Sequence, residues 1–167
     1  MTEAPAWVIA EGRGDDAEWA ARLMAASDPW MALGRGIDQC RAACTRSEMV
    51  LFVARAGDER CGFALVTPRG LAGSPYLAAI AAAPAWRGRG AGAALLGHCE
   101  RWAAQTSRHF FLCVSSFNTR AQDFYRRQGY RQVGELDGYI IDGASERLMY
   151  KPVRGQAPPP VATSPTR

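Results

Sequence analysis

Two hydrophobic periods alternate along the chain. Short apolar runs rich in β-forming residues predict strands, and stretches whose apolar positions recur every three or four residues predict amphipathic helices. In the third of these helices, Leu95, Cys99 and Trp102 fall on one face. The predicted strands cover residues 7–10, 49–56, 61–67, 76–83, 109–115, 130–141 and 146–151, and the predicted helices cover 17–26, 33–44, 90–105 and 119–128.

The order of these elements, β-α-α-β-β-β-α-β-α-β-β, predicts a mixed α/β sheet with helices packed on it. A length of 167 residues indicates a single domain, which we place at residues 1–154. The segment 155–167 holds four prolines in thirteen residues and is predicted to be a flexible tail. No apolar run reaches the roughly 18 residues of a membrane span and no signal peptide is evident, so we expect a cytoplasmic protein without membrane contact.

The five cysteines are odd in number and form no CxxC pair. Cys40 and Cys44 lie one helical turn apart, with no histidine near them in the sequence. Neither a zinc site nor a disulfide scaffold has this spacing, so no metal is expected and the thiols are predicted to pack in the core.

The net charge of +4 is unevenly distributed. Residues 84–131 hold eight arginines and two acidic residues, a net charge of +6, whereas the rest of the chain has twelve basic and fourteen acidic residues, a net charge of −2. An arginine guanidinium donates paired hydrogen bonds to phosphate, so this segment is predicted to bind an anionic partner. The modest overall charge argues against a nucleic acid as that partner.

The most informative stretch is 84–96, PAWRGRGAGAALL, which lies between a predicted strand and a predicted helix. Its three alternate glycines let the backbone approach a ligand closely, and the N-terminus of the following helix favours an anion. With Arg87 and Arg89 beside it, this turn is predicted to hold a pyrophosphate. A turn without a ligand is one alternative. The dinucleotide-binding GxGxxA pattern is another, but the next strand ends without the acidic residue that would hold a ribose.

These residues resemble the GNAT superfamily of acyl-CoA-dependent N-acyltransferases. The family's pyrophosphate motif, Arg/Gln-x-x-Gly-x-Gly/Ala, is matched by the run Arg87-Gly88-Arg89-Gly90-Ala91-Gly92. Downstream, residues 112–118 and 121–130 are similar to the family's segment that runs from an asparagine to a tyrosine and ends at a glycine–aromatic pair. The resemblance covers roughly residues 7–152 and implies a GNAT-like, mostly antiparallel sheet with splayed strands, flanked by helices.

The resemblance implies that acetyl-CoA is the cosubstrate and that one splayed strand binds its pantetheine arm. A main-chain N–H near Ala81 or Ala82 would stabilise the oxyanion. Asn118 would bind the pantetheine arm as well as capping its helix. The cofactor contacts implied by the resemblance are Ile80, Ala81, Ala82, Arg87, Gly88, Arg89, Gly90, Ala91, Gly92, Ala93, Asn118 and Tyr125.

Tyr125 is the implied catalytic residue, donating a proton to the departing CoA thiolate. A tyrosine titrates near pH 10 and a thiol near 8.5, so Tyr125 stays protonated at neutral pH and can still share its proton. Packing in the core is the alternative role for Tyr125, and the neighbouring Phe124 is assigned to packing.

The acceptor is expected to be a primary amine, on a small molecule or on a peptide or protein, that attacks the thioester directly. Trp30, Tyr76 and Tyr139 are candidate aromatic residues of the acceptor pocket, with core packing an equal alternative for Trp30. The amine must lose a proton before it attacks. The candidate bases are ordered water and three aspartates, Asp28, Asp137 and Asp142.

Two further expectations depend on the resemblance. Cys113 stands where many family members carry a glutamate, and we assign this thiol to packing rather than to nucleophilic catalysis. A non-catalytic acyl-CoA-binding regulatory module is the alternative function, since it would keep the glycine turn without needing Tyr125. The resemblance also leaves a homodimer open.

Overall fold

A seven-stranded sheet with a pair of helices on each face forms the protein, as seen in a computed structural model that describes residues 6–153. The predicted tail at 155–167 lies outside these residues. The strands are β1 (Val8–Glu11), β2 (Val50–Ala56), β3 (Glu59–Leu71), β4 (Ser74–Ala82), β5 (His109–Ser115), β6 (Arg131–Asp137) and β7 (Ser145–Pro152). The helices are α1 (Asp16–Ala25), α2 (Ile37–Thr45), α3 (Ala91–Ala103) and α4 (Thr119–Arg127), with one 3₁₀ turn at Pro84–Trp86.

The strands run in the order β1-β2-β3-β4-β5-β7-β6. Every neighbouring pair is antiparallel except β4 and β5, which are parallel. The predicted fold class, a mixed and mostly antiparallel sheet flanked by helices, is confirmed.

Alternation along β3 shows how the two faces are built. Phe63 and Leu65 point to the core beneath α1 and α2, whereas Ala64 and Val66 point to the core beneath α3 and α4. Both sets are buried because helices cover both faces of this strand. The same alternation places each side chain of β5 and β7 on a definite face, whereas a bulge at Ala78 puts Leu77 and Ala79 of β4 on opposite faces.

Several connections differ from their predicted limits. The loop between α1 and α2 runs to Gly36, since α2 begins at Ile37 and not at residue 33. The predicted loop at 71–75 is a two-residue turn in which Ala72 and Gly73 both have positive φ, so β3 and β4 extend further than their apolar runs indicate. The predicted strand 130–141 ends at Asp137, and residues 138–144 form the loop to β7. Positive φ values at Gly138 and Gly143 turn the chain there.

Asp16, at the start of α1, is a buried carboxylate that links this helix to the sheet. Its carboxylate is buried, and it accepts hydrogen bonds from Arg55 at 2.6 Å, from Arg60 at 2.8 Å and from the backbone N–H of Arg13 at 2.7 Å. Burial opposes ionisation, but these donors outweigh it and hold the pKa of Asp16 below its usual 3.8. The group ties the start of α1 to β2 and β3.

All five thiols are free, and four of them are buried. Burial raises the pKa of Cys44 to about 11, with the nearby Cys40 adding to the effect. Burial also raises the pKa of Cys99 to about 12. These thiols stay protonated at neutral pH and act as small apolar core residues, as the sequence predicts.

Candidate active site

The sheet opens into a cleft between β4 and β5. The two parallel strands are paired only at Tyr76–Phe111 and Leu77–Leu112. Beyond Leu77, β4 continues to Ala82 on β3 alone, and within residues 6–153 no strand pairs with its other edge there. A strand edge without a partner exposes N–H and C=O groups that an extended ligand can use.

A turn with bare backbone follows directly from this cleft. Gly88 and Gly90 have φ values of +71° and +94°, a left-handed conformation that disfavours residues with a Cβ. Gly90 is the N-cap of α3, and no side chain caps the first turn of that helix. No acidic residue lies in that turn either, so its free N–H groups and the helix dipole are available to an anion.

The two arginines of the turn are exposed and held in different ways. The Arg87 guanidinium donates to the carbonyl of Ala82 at 3.3 Å and to the Ser27 hydroxyl at 3.5 Å, so it links the end of β4 to the loop after α1. The Arg89 guanidinium lies 5.4 Å from the centre of the Trp86 ring. Both place positive charge around the glycine turn.

Helix α4 begins at the same end of the sheet as α3, because each helix follows the carboxyl end of one of the two splayed strands. Asn118 caps α4 by accepting a hydrogen bond from the Ala121 N–H at 3.2 Å, as predicted from the sequence. One edge of the Phe124 ring lies near Gly92 in the first turn of α3; a Cβ built on that glycine would be 3.7 Å from it. The start of α3 and the middle of α4 therefore share one side of the cleft.

Tyr125 lies in the core between Phe124 and Tyr130, with ring centres at 5.3 Å and 5.8 Å, and its side chain is 7% exposed. Its hydroxyl has no hydrogen-bond partner in the described part of the chain. In residues 6–153, Arg147 Nε is the one polar side-chain atom that is fully buried and has no hydrogen-bond partner. The Tyr125 hydroxyl has no partner either, so it cannot be fully buried and reaches accessible space. Burial, and then the nearby Cys99, raises the pKa of Tyr125, so it is protonated at neutral pH.

The three predicted acceptor aromatics lie in different surroundings. Trp30 is buried and packs against Phe63, at 6.4 Å between ring centres, on the face covered by α1 and α2. Tyr76 lies on β4 at the closed end of the cleft, half-buried beside Cys113. Tyr139 is 69% exposed in the loop between β6 and β7. Of these side chains, Tyr76 is the one on a strand of the cleft.

The predicted bases are all exposed. Asp28 accepts a hydrogen bond from the Ala32 N–H at 3.3 Å in the loop after α1. Asp137 is the last residue of β6, and Asp142 lies in the loop between β6 and β7. Sequence reasoning overlooked Glu146, a buried carboxylate on β7 whose partner is Ser115 on β5. The side-chain alternation of β7 could have indicated that Glu146 is buried, because it puts Glu146 on the same face as the largely apolar side chains of Leu148 and Tyr150.

The comparison that decides the family is a match over residues 15–130 to the model of the acetyltransferase (GNAT) family. This chain belongs to the GNAT family. The matched range contains the cleft strands, the glycine turn, Asn118 and Tyr125.

Solved structures of GNAT acetyltransferases share the fold. A GNAT-family acetyltransferase from Desulfovibrio desulfuricans superposes with a TM-score of 0.75 at 20% identity, covering 88% of this chain and 99% of its own. Arabidopsis thaliana NAA60 in complex with acetyl-CoA gives a TM-score of 0.70 at 15% identity, covering 90% and 100%. The Escherichia coli ribosomal-protein-S18-alanine N-acetyltransferase gives 0.70 at 18% identity, covering 95% and 100%. A search of curated protein sequences found no significant match.

No group of three or more histidine, cysteine or acidic side chains within residues 6–153 is arranged to hold a metal ion. None of the four helices is long and apolar enough to cross a bilayer.

Proposed function

We propose that this protein transfers the acetyl group of acetyl-CoA to a primary amine by direct attack of the amine on the thioester. The observation that carries the proposal is the opening of the sheet beside β4 at the same end where the uncapped N-terminus of α3 begins. A linear cofactor with a pyrophosphate at one end and a thioester at the other fits this pair of features.

The pyrophosphate would lie on the turn, where amides from Gly88 to Ala93 and the dipole of α3 favour its charge. Arg87 and Arg89 would add charge-assisted hydrogen bonds. The pantetheine arm would follow the unpaired edge of β4 along Ile80, Ala81 and Ala82. Asn118 would contact the arm from the opposite side of the cleft, since its side chain lies at the start of α4.

In the chemical step, the amine nitrogen attacks the thioester carbon and the carbonyl oxygen becomes an oxyanion. A main-chain N–H near Ala81 or Ala82 would stabilise that oxyanion, which makes no demand on the side chains there. The C–S bond then breaks, and Tyr125 would donate its proton to the CoA thiolate. A tyrosine is protonated at neutral pH even with its ordinary pKa near 10, and burial raises the pKa of Tyr125 further.

The first test of the function is binding followed by turnover. Calorimetry with acetyl-CoA should show one site, and release of free CoA thiol should depend on an added amine from a panel of small amines and peptides. An N-terminal peptide amine belongs in the panel because one structural neighbour is named for acetylating the alanine of a ribosomal protein. Absence of acetyl-CoA binding would contradict the proposal.

A non-catalytic acyl-CoA-binding module is the second candidate. The deep burial of the Tyr125 ring among Phe124 and Tyr130 is also what a purely structural tyrosine would show. Such a module would bind acetyl-CoA with the wild-type affinity after removal of the Tyr125 hydroxyl, and no amine would release CoA. The Tyr125→Phe variant therefore separates the two candidates.

A further inference from the structure

Glu146 is a buried carboxylate that the steps above leave without a role. Its side chain is 6% exposed, and its Oε1 accepts a hydrogen bond of 2.6 Å from the Ser115 hydroxyl. No arginine or lysine in the described range forms an ion pair with it. The comparably buried Asp16 has two arginine partners. Because buried charges in proteins are normally paired, Glu146 lacks one cation.

The second oxygen of Glu146 is free to take that cation. Oε2 has no hydrogen-bond partner in residues 6–153. In that range, Arg147 Nε is the one polar side-chain atom that is both fully buried and without a hydrogen-bond partner, so Oε2 is not fully buried. An oxygen that has no partner and is not sealed inside the protein must contact accessible space. Glu146 is therefore held on one side by Ser115 and open on the other.

The strand register places Glu146 one strand away from the cleft. Glu146 is paired with Ser115 on β5, and β5 is one wall of the cleft. Alternation puts Ser115 and Cys113 on the face opposite Leu112 and Val114, which pack beneath α3 and α4. Acetyl-CoA in the proposed position enters from the side of α3 and α4. Glu146 thus lies on the other side of the sheet, from which an acceptor must approach.

The side chains that directly neighbour Glu146 on that face are uncharged, and the positive charge of Arg131 lies further along it, over the ring of Tyr150. From β4 and β5, the titratable neighbours are Tyr76 and Cys113, whose pKa values are raised by burial and further by the negative charge of Glu146. From β6, the residue facing Glu146 is Leu136, which is 43% exposed. Along β7, the next side chain on the face is the half-buried Leu148. An apolar surface with a single carboxylate suits an ammonium group carried on an apolar skeleton.

Resting on the proposed function, we infer that Glu146 binds the ammonium group of the acceptor and takes up the proton it must lose, and that the acceptor is a primary amine on an apolar skeleton. The ammonium loses one proton to Glu146 Oε2, which passes it to solvent. The resulting amine forms the N–C bond, and the C–S bond breaks. Tyr125 gives its proton to the thiolate, and the second proton lost by the nitrogen restores the Tyr125 hydroxyl. The products are the amide, the CoA thiol and one proton released to solvent.

The test uses 2-phenylethylamine as the acceptor with saturating acetyl-CoA. Glu146→Gln keeps the shape and can still accept the Ser115 hydrogen bond but cannot take a proton, so kcat/KM should fall at least about 100-fold. Glu146→Asp should recover part of the loss. Glu135→Gln is the matched control, because Glu135 lies on the adjacent strand β6 and shares the face of Arg147 rather than that of Glu146. It should keep the wild-type kcat/KM, and all three variants should keep the wild-type affinity for acetyl-CoA.

Wild-type kcat/KM in Glu146→Gln would overturn the role of Glu146, and no turnover of 2-phenylethylamine by the wild-type protein would overturn the acceptor class. Either result leaves the proposed function standing as long as acetyl-CoA binds and another amine releases CoA. A second measurement on the wild-type protein does not depend on any variant folding. N,N-dimethyl-2-phenylethylamine, a cation that cannot form an amide, should inhibit at least about 10-fold more strongly than the neutral 2-phenylethanol; equal inhibition would also overturn the inference.

Discussion

Tyr125 combines a packing position in the core with the proposed chemical role. Its ring fills space in the core between Phe124 and Tyr130, whereas its hydroxyl has no hydrogen-bond partner in the described chain and reaches accessible space. A hydroxyl with this placement contributes little to the free energy of unfolding. In the proposed function, this hydroxyl is the group that meets the thioester sulfur of acetyl-CoA.

The first prediction concerns this hydroxyl. Tyr125→Phe should lower kcat about 100-fold or more, because general acid catalysis contributes that much, and should leave the affinity for acetyl-CoA unchanged. The free energy of unfolding should change by less than about 0.5 kcal/mol, since no hydrogen bond is lost. Steady-state kinetics of CoA release, calorimetry and urea unfolding measure the three quantities.

The control is the neighbouring tyrosine. Tyr130 donates to Glu100 at 3.0 Å, so Tyr130→Phe should lower stability by about 1 kcal/mol through the lost hydrogen bond and leave kcat unchanged. If Tyr125→Phe turned over at the wild-type rate, Tyr125 would be a packing residue and the acid would have to be sought elsewhere.

A second prediction at the residue scale concerns Asp16, whose hydrogen bonds from arginines hold its pKa below 3.8. A carboxylate with a lowered pKa in the folded state stabilises the protein at pH values above its unfolded pKa. That stabilisation is lost as the pH falls through the folded pKa. Asp16→Asn should cost about 2 kcal/mol in the free energy of unfolding at pH 7, because the hydrogen bonds lose their charge.

Urea unfolding as a function of pH tests the sign. The difference in stability between wild type and Asp16→Asn should be constant from pH 7 to about pH 5 and should shrink below about pH 4. Asp58→Asn, an exposed carboxylate in the turn between β2 and β3, is the control and should have little effect at either pH. A difference that grew on acidification would contradict the pKa direction.

At the scale of elements, the glycine turn and the start of α3 together form the proposed anion-binding unit. Gly90 combines a φ of +94° with the N-cap position, and no side chain caps the helix after it. A Cβ at this position costs backbone strain and lies beside the amides that would bind the pyrophosphate.

The corresponding prediction is that Gly90→Val abolishes acetyl-CoA binding in calorimetry while the fold is kept. Gly57→Val is the matched control, because Gly57 also has a positive φ, +59°, but lies in the turn between β2 and β3. Each variant should lose about 1–3 kcal/mol in stability from strain, so a loss of acetyl-CoA binding confined to Gly90→Val is not a general effect of that strain. An unchanged acetyl-CoA affinity in Gly90→Val would contradict the assignment of the turn.

Elements dominated by local signals were predicted well from the sequence. The predicted limits of β5 match the structure, and Asn118 and Gly90 fall at the starts of α4 and α3, because capping and turn geometry depend on neighbouring residues. The limits of β3 and β6 were less accurate, since Ala72 and the two glycines at 138 and 143 decide them through backbone conformation.

At the scale of the whole molecule, the sheet consists of two halves joined by only two residue pairs between β4 and β5. Strand β7, the last within residues 6–153, lies between β5 and β6, so residues far apart in sequence become neighbours. Glu146 meets Ser115 for this reason alone, at a separation of 31 residues. Hydrophobic periodicity carries no information on strand order, and this is why the three aspartates were considered as bases and Glu146 was not.

The central claim is that the pyrophosphate of acetyl-CoA binds at the start of α3 and that its thioester lies in the cleft between β4 and β5. A crystal structure of the protein with acetyl-CoA tests it most directly. The account predicts phosphate oxygens within hydrogen-bond distance of backbone amides between Gly88 and Ala93, with the pantetheine arm along the free edge of β4. An empty glycine turn, with the cofactor bound at another place, would contradict it.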